Sequence, residues 1–201
     1  MPQTTNYKSL IDKIHSWMAQ AQKTEPNDPN AVCLSTCTKQ GRPSTRIVLL
    51  KYIDANKHFV IFTNKESQKG REMIENPFAS LCLYWKTTER QIRIEGRVEE
   101  VTDEEADAYF ETRQRGSQIG AWASQQSRPM ASRHELETAI DEIEKSYDGR
   151  DVPRPPYWTG FRIIPDKIEF WEAGEHRLHK REIFKPVKED LSEWEKTLLF
   201  P

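Results

Sequence analysis

The stretch RQIRIEGRVEEV, Arg90 to Val101, alternates between polar and nonpolar residues from Gln91 to Glu99. Successive side chains of a strand point to opposite faces of the sheet. The apolar set Ile92, Ile94 and Val98 therefore shares one face, and the opposite face carries charged and amide groups. We predict a strand with one apolar face, packed on the core, and one polar face.

Short segments on both sides of this stretch have the same strand-like character, being rich in β-branched and aromatic residues. Before it stand AVCLSTC, TRIVLLKY, HFVIFTN and FASLCLYW, separated by the turn-like KQGRPS, DANK and ENP; after the connector DVPRPP come YWTGFRIIP, KIEFWEAG, HRLHKREIF and EWEKTLLF. The early segments predict an antiparallel meander. Regular alternation of strands and helices is missing, which disfavours a doubly wound parallel sheet.

Helical patterns flank these strands. Apolar residues from Tyr7 to Ala21 recur at helical spacing and predict a helix over about 7–23, which ends before EPNDPN. We expect a short helix in ESQKGREMIEN, and two helices with capping boxes in TDEEADAYFETR and SRHELETAIDEIEKSY. Between the last two lies RGSQIGAWASQQS, 115–127, which has neither period and is predicted as a loop with Trp122 as a packing anchor. The sequence thus predicts a mainly β fold with flanking helices, a small barrel in a single domain over 1–201 with a C-terminal strand region over about 157–201.

Composition narrows the classes of function. The chain of 201 residues has 30 basic and 32 acidic residues and a formal net charge of −2, with 36% hydrophobic residues. This balance gives no general attraction to nucleic acid or to an anionic membrane, so we expect neither partner. No apolar run reaches the roughly 20 residues of a membrane helix, and the N-terminus lacks the order of a signal peptide. We therefore expect a cytoplasmic protein.

The cysteines and histidines suggest no metal. Cys33, Cys37 and Cys82 are odd in number and lie in apolar segments, so we predict small buried hydrophobic residues rather than a disulfide framework. His176 and His179 would point to opposite faces of a strand, which argues against a metal site.

Cations cluster where predicted elements end. They are Arg46, Lys51, Lys69, Arg71, Arg177, His179 and Arg181. Taken singly, such residues are usually solvated. On an extended chain, however, the last three share one strand face, where they would repel one another unless an anion lies among them. Glycine-rich phosphate loops and nucleophile elbows are missing, so the expectation is a small barrel with an anion site.

Several motifs closely resemble the pyridoxamine 5′-phosphate oxidase family. They are RIVLLK, FTNKESQKGRE, RQIRIEGRVE, AYFETRQRGSQIGAWASQQS, PRPPYWTGFR and IEFWEAGEHRLHKR, which run in order from about Ala31 to Arg181. The resemblance implies an FMN-binding split β-barrel, antiparallel and Greek-key-like, that forms a homodimer with flavin at the interface. It also implies oxidation of pyridoxamine and pyridoxine 5′-phosphate by O2, giving pyridoxal 5′-phosphate and hydrogen peroxide.

The resemblance also assigns site residues. Lys51, Tyr109, Arg113 and Ser117 match positions that hold the substrate phosphate. Arg177, Leu178 and His179 match those against the pyridine ring, with Arg177 and His179 as catalytic residues that position the substrate. The flavin positions are Arg46, Ile47, Val48, Leu49, Leu50, Lys51, Phe62, Thr63, Gln68, Lys69, Gln91, Gln126, Ser127, Trp171 and Arg181.

The chain also departs from the family pattern. Gln68 stands where a second basic residue is common, Thr38 where many members have Asp, and Lys180 where an acid is common. The basic N-terminal lid is not recognisable before Tyr7, and the end TLLFP is unusual. Two alternatives therefore stay open: a flavin oxidase of another aromatic substrate, such as a phenazine precursor, and a flavin- or vitamer-phosphate carrier without turnover.

Overall fold

The computed structural model describes residues 3–188 and 190–201. Within them the chain forms five α-helices: α1 (Tyr7–Thr24), α2 (Gln68–Glu75), α3 (Asp103–Glu111), α4 (Arg115–Ala123) and α5 (Arg133–Ser146). The ten strands are β1 (Gln3–Asn6), β2 (Ala31–Cys37), β3 (Pro43–Leu49), β4 (Tyr52–Ile53), β5 (Phe59–Asn64), β6 (Phe78–Trp85), β7 (Arg90–Glu100), β8 (Trp158–Glu172), β9 (Lys180–Pro186) and β10 (Glu193–Leu199). None of these helices is long and apolar enough to cross a membrane.

The strands form one antiparallel sheet in the order β1-β10-β9-β8-β7-β6-β2-β3, and β5 pairs with both β4 and β8. This confirms the predicted mainly β, antiparallel fold with flanking helices. The predicted meander of the early strands is wrong in its pairing. Strand β6 pairs with β2, and β5 pairs with the start of β8. Such pairings join segments far apart in sequence, which a local period of two cannot specify.

Strand β7 behaves as its alternation predicts, since Ile92, Ile94 and Val98 are buried on the core side. Its partner β8 is one strand of 15 residues, where the sequence suggested two. A shift of register between Glu95 and Gly96 lets the pairing pass Pro165 without a break. A Cβ at Gly96 would collide with the Ile164 carbonyl oxygen, so the bulge requires glycine.

Helix α1 covers the core side of the sheet. It ends one residue beyond the predicted boundary and buries one apolar face: Tyr7, Leu10, Ile11, Ile14, Trp17 and Ala21. Trp17 meets the Phe170 ring edge-on at 5.1 Å, and Tyr7 stacks on Trp194 at 5.0 Å. Strand β1, which the sequence did not predict, precedes α1 and pairs with β10. The N-terminal segment is therefore held against the C-terminal strands.

The prediction of a loop over 115–127 is wrong in its first part, which forms α4. Gln114 makes no side-chain cap, so the helix lacks a local start signal. Ile119 is buried, and Ala121 and Trp122 pack in the same apolar cluster. Tertiary packing thus overrides a weak local propensity. The part after Ala123 is a loop, with Ser127 at φ 71°.

The two predicted capping boxes differ in outcome. Thr102 and Glu105 exchange both hydrogen bonds and start α3. Ser132 makes no side-chain cap at α5, and Glu135 instead accepts from the Ala131 N–H at 2.8 Å. Trp122 fills its predicted packing role, because its indole donates to the Pro153 carbonyl at 2.7 Å and its ring contacts Tyr147.

Candidate active site

Lys69 is the most deeply buried cation of the predicted site, with 8% of its surface exposed. Ser67 caps α2 by accepting from the Gly70 N–H, which turns Lys69 in the first helical turn toward the barrel. The Lys69 ammonium lies 3.3 Å from both the Thr63 and Ser67 hydroxyls. Burial, together with the charge of Arg46, lowers the pKa of Lys69. Hydroxyl groups alone leave this charge uncompensated, so the position is suited to an anion.

Arg46 lies beside this position and is held by Glu72. Its guanidinium donates to the Thr36 hydroxyl at 2.6 Å and lies 3.4 Å from the Glu72 carboxylate. Burial would raise the pKa of Glu72, but hydrogen bonds from Ser44, Thr36 and Gln68 and the charge of Arg46 lower it to about 2. The carboxylate is therefore ionised and fixes Arg46 in place. The amide of Gln68 points to Glu72 at 2.9 Å.

A second cation, Arg113, lies on an aromatic shelf just beyond α3. Its guanidinium carbon is 4.8 Å from the Trp158 ring centroid and 5.4 Å from that of Phe110. One guanidinium nitrogen, Nη1, is buried without a hydrogen-bond partner. Burial lowers the pKa of Arg113, while the nearby Tyr109 opposes this shift. An unpaired buried N–H raises the free energy of the folded protein. This donor is therefore suited to binding an acceptor such as an anion.

Tyr109 lies on the Arg113 side of β5. Its ring stacks on Phe62 at 4.0 Å, and Phe62 in turn stacks on Trp158 at 5.2 Å. Thr63, next to Phe62 in β5, hydrogen-bonds Gln126 at 3.3 Å and thereby brings the loop after α4 to the Lys69 position. The structure thus gathers one group of predicted residues: Arg46, Phe62, Thr63, Gln68, Lys69, Tyr109, Arg113 and Gln126.

Another group lies at the far end of β8. Gln91, Trp171 and Arg181 are register partners across β7, β8 and β9 and form one row. The His179 ring lies 4.6 Å from that of Trp171. The Gly174 N–H donates to His179 Nδ1 at 3.2 Å, so Nε2 is the ring nitrogen that can donate to a ligand.

Arg177, His179 and Arg181 do not share a strand face, contrary to the prediction. Residues Glu175–Arg177 form a 3-10 turn, in which His176 and Arg177 have positive φ, and β9 begins only at Lys180. The Gly174 position has no room for a Cβ, which would collide with the Leu178 carbonyl oxygen. This tight turn leaves Arg177 and Leu178 exposed.

The anion beside Arg181 is supplied by the sheet itself. Glu169 is 2% exposed and accepts from Arg181 at 2.7 Å and from Arg93 at 3.1 Å. Sequence reasoning missed Glu169 and Glu72 as the acids that fix these arginines. The alternation IEFWE does place Glu169 on the face of Trp171, and this was the available signal.

The remaining predicted residues lie apart. Lys51 falls at the break between β3 and β4, where its side chain is exposed, and Ser117 is exposed in the first turn of α4. Of the strand residues before Lys51, Ile47 is exposed, Val48 and Leu49 are half-buried, and Leu50 belongs to the core. Ser127 lies in the loop after α4. Their roles stay predictions.

Two family models match the chain. Residues 18–147 match the model described as pyridoxamine 5′-phosphate oxidase. Residues 158–201 match the model described as the pyridoxine 5′-phosphate oxidase C-terminal dimerisation region.

Several similar proteins are named pyridoxine/pyridoxamine 5′-phosphate oxidase. The chain is 51% identical over 191 residues to the pyridoxine/pyridoxamine 5′-phosphate oxidase of Myxococcus xanthus, covering 95% of this chain and 91% of that protein. The protein of that name from Rhodospirillum rubrum is 50% identical over 189 residues, covering 92% of each.

Solved structures show the same fold. PhzG from Burkholderia lata, in complex with tetrahydrophenazine-1-carboxylic acid, gives a TM-score of 0.87 at 33% identity over 95% of this chain and 92% of that one. A pyridoxamine 5′-phosphate oxidase-related, FMN binding protein from Nostoc punctiforme gives 0.74 at 14% identity over 94% and 96%, which bears on the fold alone. The predicted split barrel is thereby confirmed, and the chain belongs to the pyridoxamine 5′-phosphate oxidase family.

Proposed function

We propose that this protein is an FMN-dependent oxidase that converts pyridoxamine and pyridoxine 5′-phosphate to pyridoxal 5′-phosphate, with O2 as acceptor and hydrogen peroxide as product. One observation carries the proposal: Lys69 is buried and Arg113 is half-buried with a buried Nη1, and neither cation is paired with a carboxylate among the described residues. Two such positions suit two phosphates, one on the flavin and one on the substrate.

The residues around Lys69 fit a flavin phosphate. The ammonium of Lys69, the guanidinium of Arg46 and the hydroxyls of Thr63 and Ser67 form a set of donors at the N-terminus of α2. Gly70 brings the helix against the backbone of Lys65, where a Cβ would not fit. When bound, FMN supplies the redox chemistry, accepting a hydride from C4′ of the substrate and passing electrons to O2.

The chain's own residues bind and orient the substrate. Arg113 and Tyr109 hold the phosphate, assisted by Lys51 and Ser117. The rings of Trp158 and Phe62 pack behind these residues and exclude water. His179, held through Nδ1, presents Nε2 to the pyridine ring, and Arg177 lies against the same ring. Orientation provides the catalytic contribution of these groups.

We further infer that the active site is complete only in a homodimer. Trp158, which supports Arg113, and Trp171, which contacts His179, lie at opposite ends of β8. At about 3.3 Å per residue, the strand separates them by about 40 Å along its length. A second copy can bring its Arg177 and His179 to the Arg113 group of the first. The model of a dimerisation region over 158–201, which contains β8 to β10, supports this arrangement.

Anaerobic mixing tests the function. Pyridoxamine 5′-phosphate should bleach the absorbance of the bound flavin, and air should restore it with release of pyridoxal 5′-phosphate. Absence of bleaching would overturn the proposal and leave a carrier. Bleaching by a reduced phenazine carboxylic acid, but not by pyridoxamine 5′-phosphate, would assign the alternative oxidase. Mass spectrometry of the released cofactor should find FMN, one per chain.

A further inference from the structure

Two cysteines face each other across neighbouring strands. Cys33 of β2 and Cys82 of β6 are direct register partners in the antiparallel ladder. Both are free thiols and half-buried, on the side of the sheet opposite to the core residues Val32, Leu34 and Leu81. Burial raises the pKa of Cys82, and the charge of Cys33 adds to this shift.

The spacing of such a pair suits a disulfide. Directly opposed residues of antiparallel strands have Cα atoms about 4.5–5.5 Å apart, and disulfides span Cα separations of about 4.4–6.8 Å. Their Cβ atoms lie about 4.5–5.5 Å apart, whereas a disulfide needs about 3.5–4.5 Å, so closure draws the strands slightly together. A disulfide formed under such strain is readily reduced, which favours a reversible bond.

The surroundings of the pair bring it close to a source of oxidant. Along the same row of the sheet, Ile47 pairs with Cys33 on one side and Arg93 pairs with Cys82 on the other. Ile47 is a predicted flavin position, so hydrogen peroxide would be released nearby. This source of oxidant rests on the proposed function, but the geometry of the thiol pair does not.

We propose that Cys33 and Cys82 are a redox modification site, which hydrogen peroxide converts to a reversible disulfide within one chain. The sulfur of Cys33 attacks one peroxide oxygen, the O–O bond breaks, and the products are a sulfenic acid and one water. The Cys82 sulfur then attacks Cys33, the S–O bond breaks, and the second water leaves. Two thiols lose two protons and two electrons, and peroxide is reduced to two waters.

The environment of Cys82 bears on the order of the two steps. Burial, followed by the charge of Cys33, raises the pKa of the Cys82 thiol. Because the thiolate is the form that attacks peroxide, this shift slows attack by Cys82. The Cys33→Ser and Cys82→Ser variants decide which thiol is oxidised first, since each keeps one member of the pair.

Cys37 provides a matched control. It lies on the same strand and the same face as Cys33, but its register partner is Pro43, which has no thiol. The parent protein, Cys33→Ser, Cys82→Ser and Cys37→Ser are treated with hydrogen peroxide, alkylated and digested for mass spectrometry. The parent and Cys37→Ser should yield a peptide pair joined through Cys33 and Cys82, which dithiothreitol separates. Cys33→Ser and Cys82→Ser should yield none, and in Cys82→Ser the remaining Cys33 should accumulate sulfinic and sulfonic acid.

Three results would overturn the proposal: three free thiols in the peroxide-treated parent, a bond that involves Cys37, or a bond between two chains. A second arm replaces added peroxide with pyridoxamine 5′-phosphate and air, with and without catalase. A disulfide that forms with added peroxide but not during turnover would support the thiol pair and count against turnover as its source of oxidant; it would count against the proposed function only if no pyridoxal 5′-phosphate is produced. A disulfide in neither arm would count against the thiol pair alone if pyridoxal 5′-phosphate is still produced.

Discussion

At the scale of single residues, this site depends on cations that differ in what neutralises them. Arg46, Arg93 and Arg181 each lie against a carboxylate of the same chain. Lys69 and Arg113 lie against hydroxyls and aromatic rings instead. An internal acid fixes the position of an arginine and compensates its charge, whereas a cation without an acid leaves its charge for a ligand anion. Cationic residues therefore have two roles in this site, and the role of each depends on its burial and on its partners.

Arg177→Ala should reduce turnover and spare the fold, the dimer and the flavin, because Arg177 is exposed and lies in a turn outside the sheet. Loss of a charge-assisted contact is worth roughly 1.5–3 kcal/mol, so kcat/KM should fall about ten- to a hundredfold. Steady-state kinetics measures the loss of turnover, and flavin absorbance measures whether the cofactor is retained. Lys185→Ala, an exposed cation of β9, is the control. A parent-like rate in Arg177→Ala would show that Arg177 is only a surface residue.

Arg113→Ala should chiefly raise the KM for pyridoxamine 5′-phosphate, because a phosphate contact is made before and during the reaction alike. Arg113→Met should show the same change in KM while it keeps the packing of the side-chain stem against Trp158. Arg115→Ala, an exposed arginine bonded to backbone carbonyls of Tyr147 and Arg150, is the matched control. An unchanged KM in Arg113→Met would remove Arg113 from the substrate site.

At the scale of elements, strands β8 and β9 position several of the candidate site residues. Strand β8 pairs with β5 over its first residues, with β7 along its length and with β9 over its last residues. It thereby places Trp158 behind Arg113 and Trp171 beside His179. Strand β9 contributes Arg181 to the row of Gln91 and Trp171, and Glu182 to the opposite face, where α1 packs.

Gly96→Ala should destabilise the protein, because the added methyl group collides with backbone of β8 that belongs to the same bulge. Forcing a group into a packed site costs about 1–3 kcal/mol or more. Urea unfolding should show a lower midpoint with a similar slope. Gly116→Ala is the control, because a Cβ at Gly116 in α4 meets nothing within 4 Å and should leave stability equal or higher. Equal stability of both variants would contradict the requirement for glycine in the bulge.

The Glu182 cluster should give the protein a component of acid-dependent stability. Burial would raise the pKa of Glu182, but hydrogen bonds and charges from Lys13 of α1 and Lys196 of β10, with Lys180, lower it to about 2 from an ordinary value near 4.5. A carboxyl with a depressed folded pKa stabilises above the unfolded value, and this contribution is lost as pH falls toward 2.

Glu182→Gln should therefore weaken the dependence of the unfolding free energy on pH between about 4.5 and 2, by on the order of 1–3 kcal/mol. Denaturant unfolding at a series of pH values measures it. The exposed Glu111→Gln should follow the parent curve. A Glu182→Gln curve parallel to that of the parent would show that the cluster contributes nothing specific.

At the scale of the whole molecule, the two halves of the proposed site lie at opposite ends of one strand. This arrangement makes the oligomer part of the catalytic unit. The exposed apolar residue Leu198 lies on β10, within the region that matches the dimerisation model, and is available to a partner.

Mixing two impaired variants tests the shared site. Arg113→Ala and Arg177→Ala damage opposite halves, so a hybrid dimer contains one doubly altered site and one intact site. Equal amounts should regain about a quarter of the parent kcat/KM once subunits exchange at random, because half of the dimers are hybrids. The control is the same mixture kept from exchanging by omission of mild denaturant. Activity that never exceeds the sum of the separate variants would place both halves in one chain.

The sequence by itself determined the features that rest on local chemistry. The period of two in 90–101, the apolar stripe of α1 and the capping box at Thr102 predicted elements that the structure confirms within a residue or two. The motifs identified the family, and with it the fold, and they predicted two sets of site residues. Local patterns suffice there because strand alternation and helix capping involve neighbours in the chain.

Only the tertiary structure decided the rest. Helix α4 has no capping signal and forms because Ile119 is buried by other elements. Residues 175–177 make a turn, where their alternation suggested a strand, because Gly174 allows the backbone of Leu178 to approach. Arg181 is neutralised by Glu169, whereas Arg113 has no acid partner within residues 3–188 and 190–201, and this distinction depends on contacts between distant segments. Charge compensation and strand pairing are three-dimensional, so identical residue types in similar local sequences receive different partners and different roles.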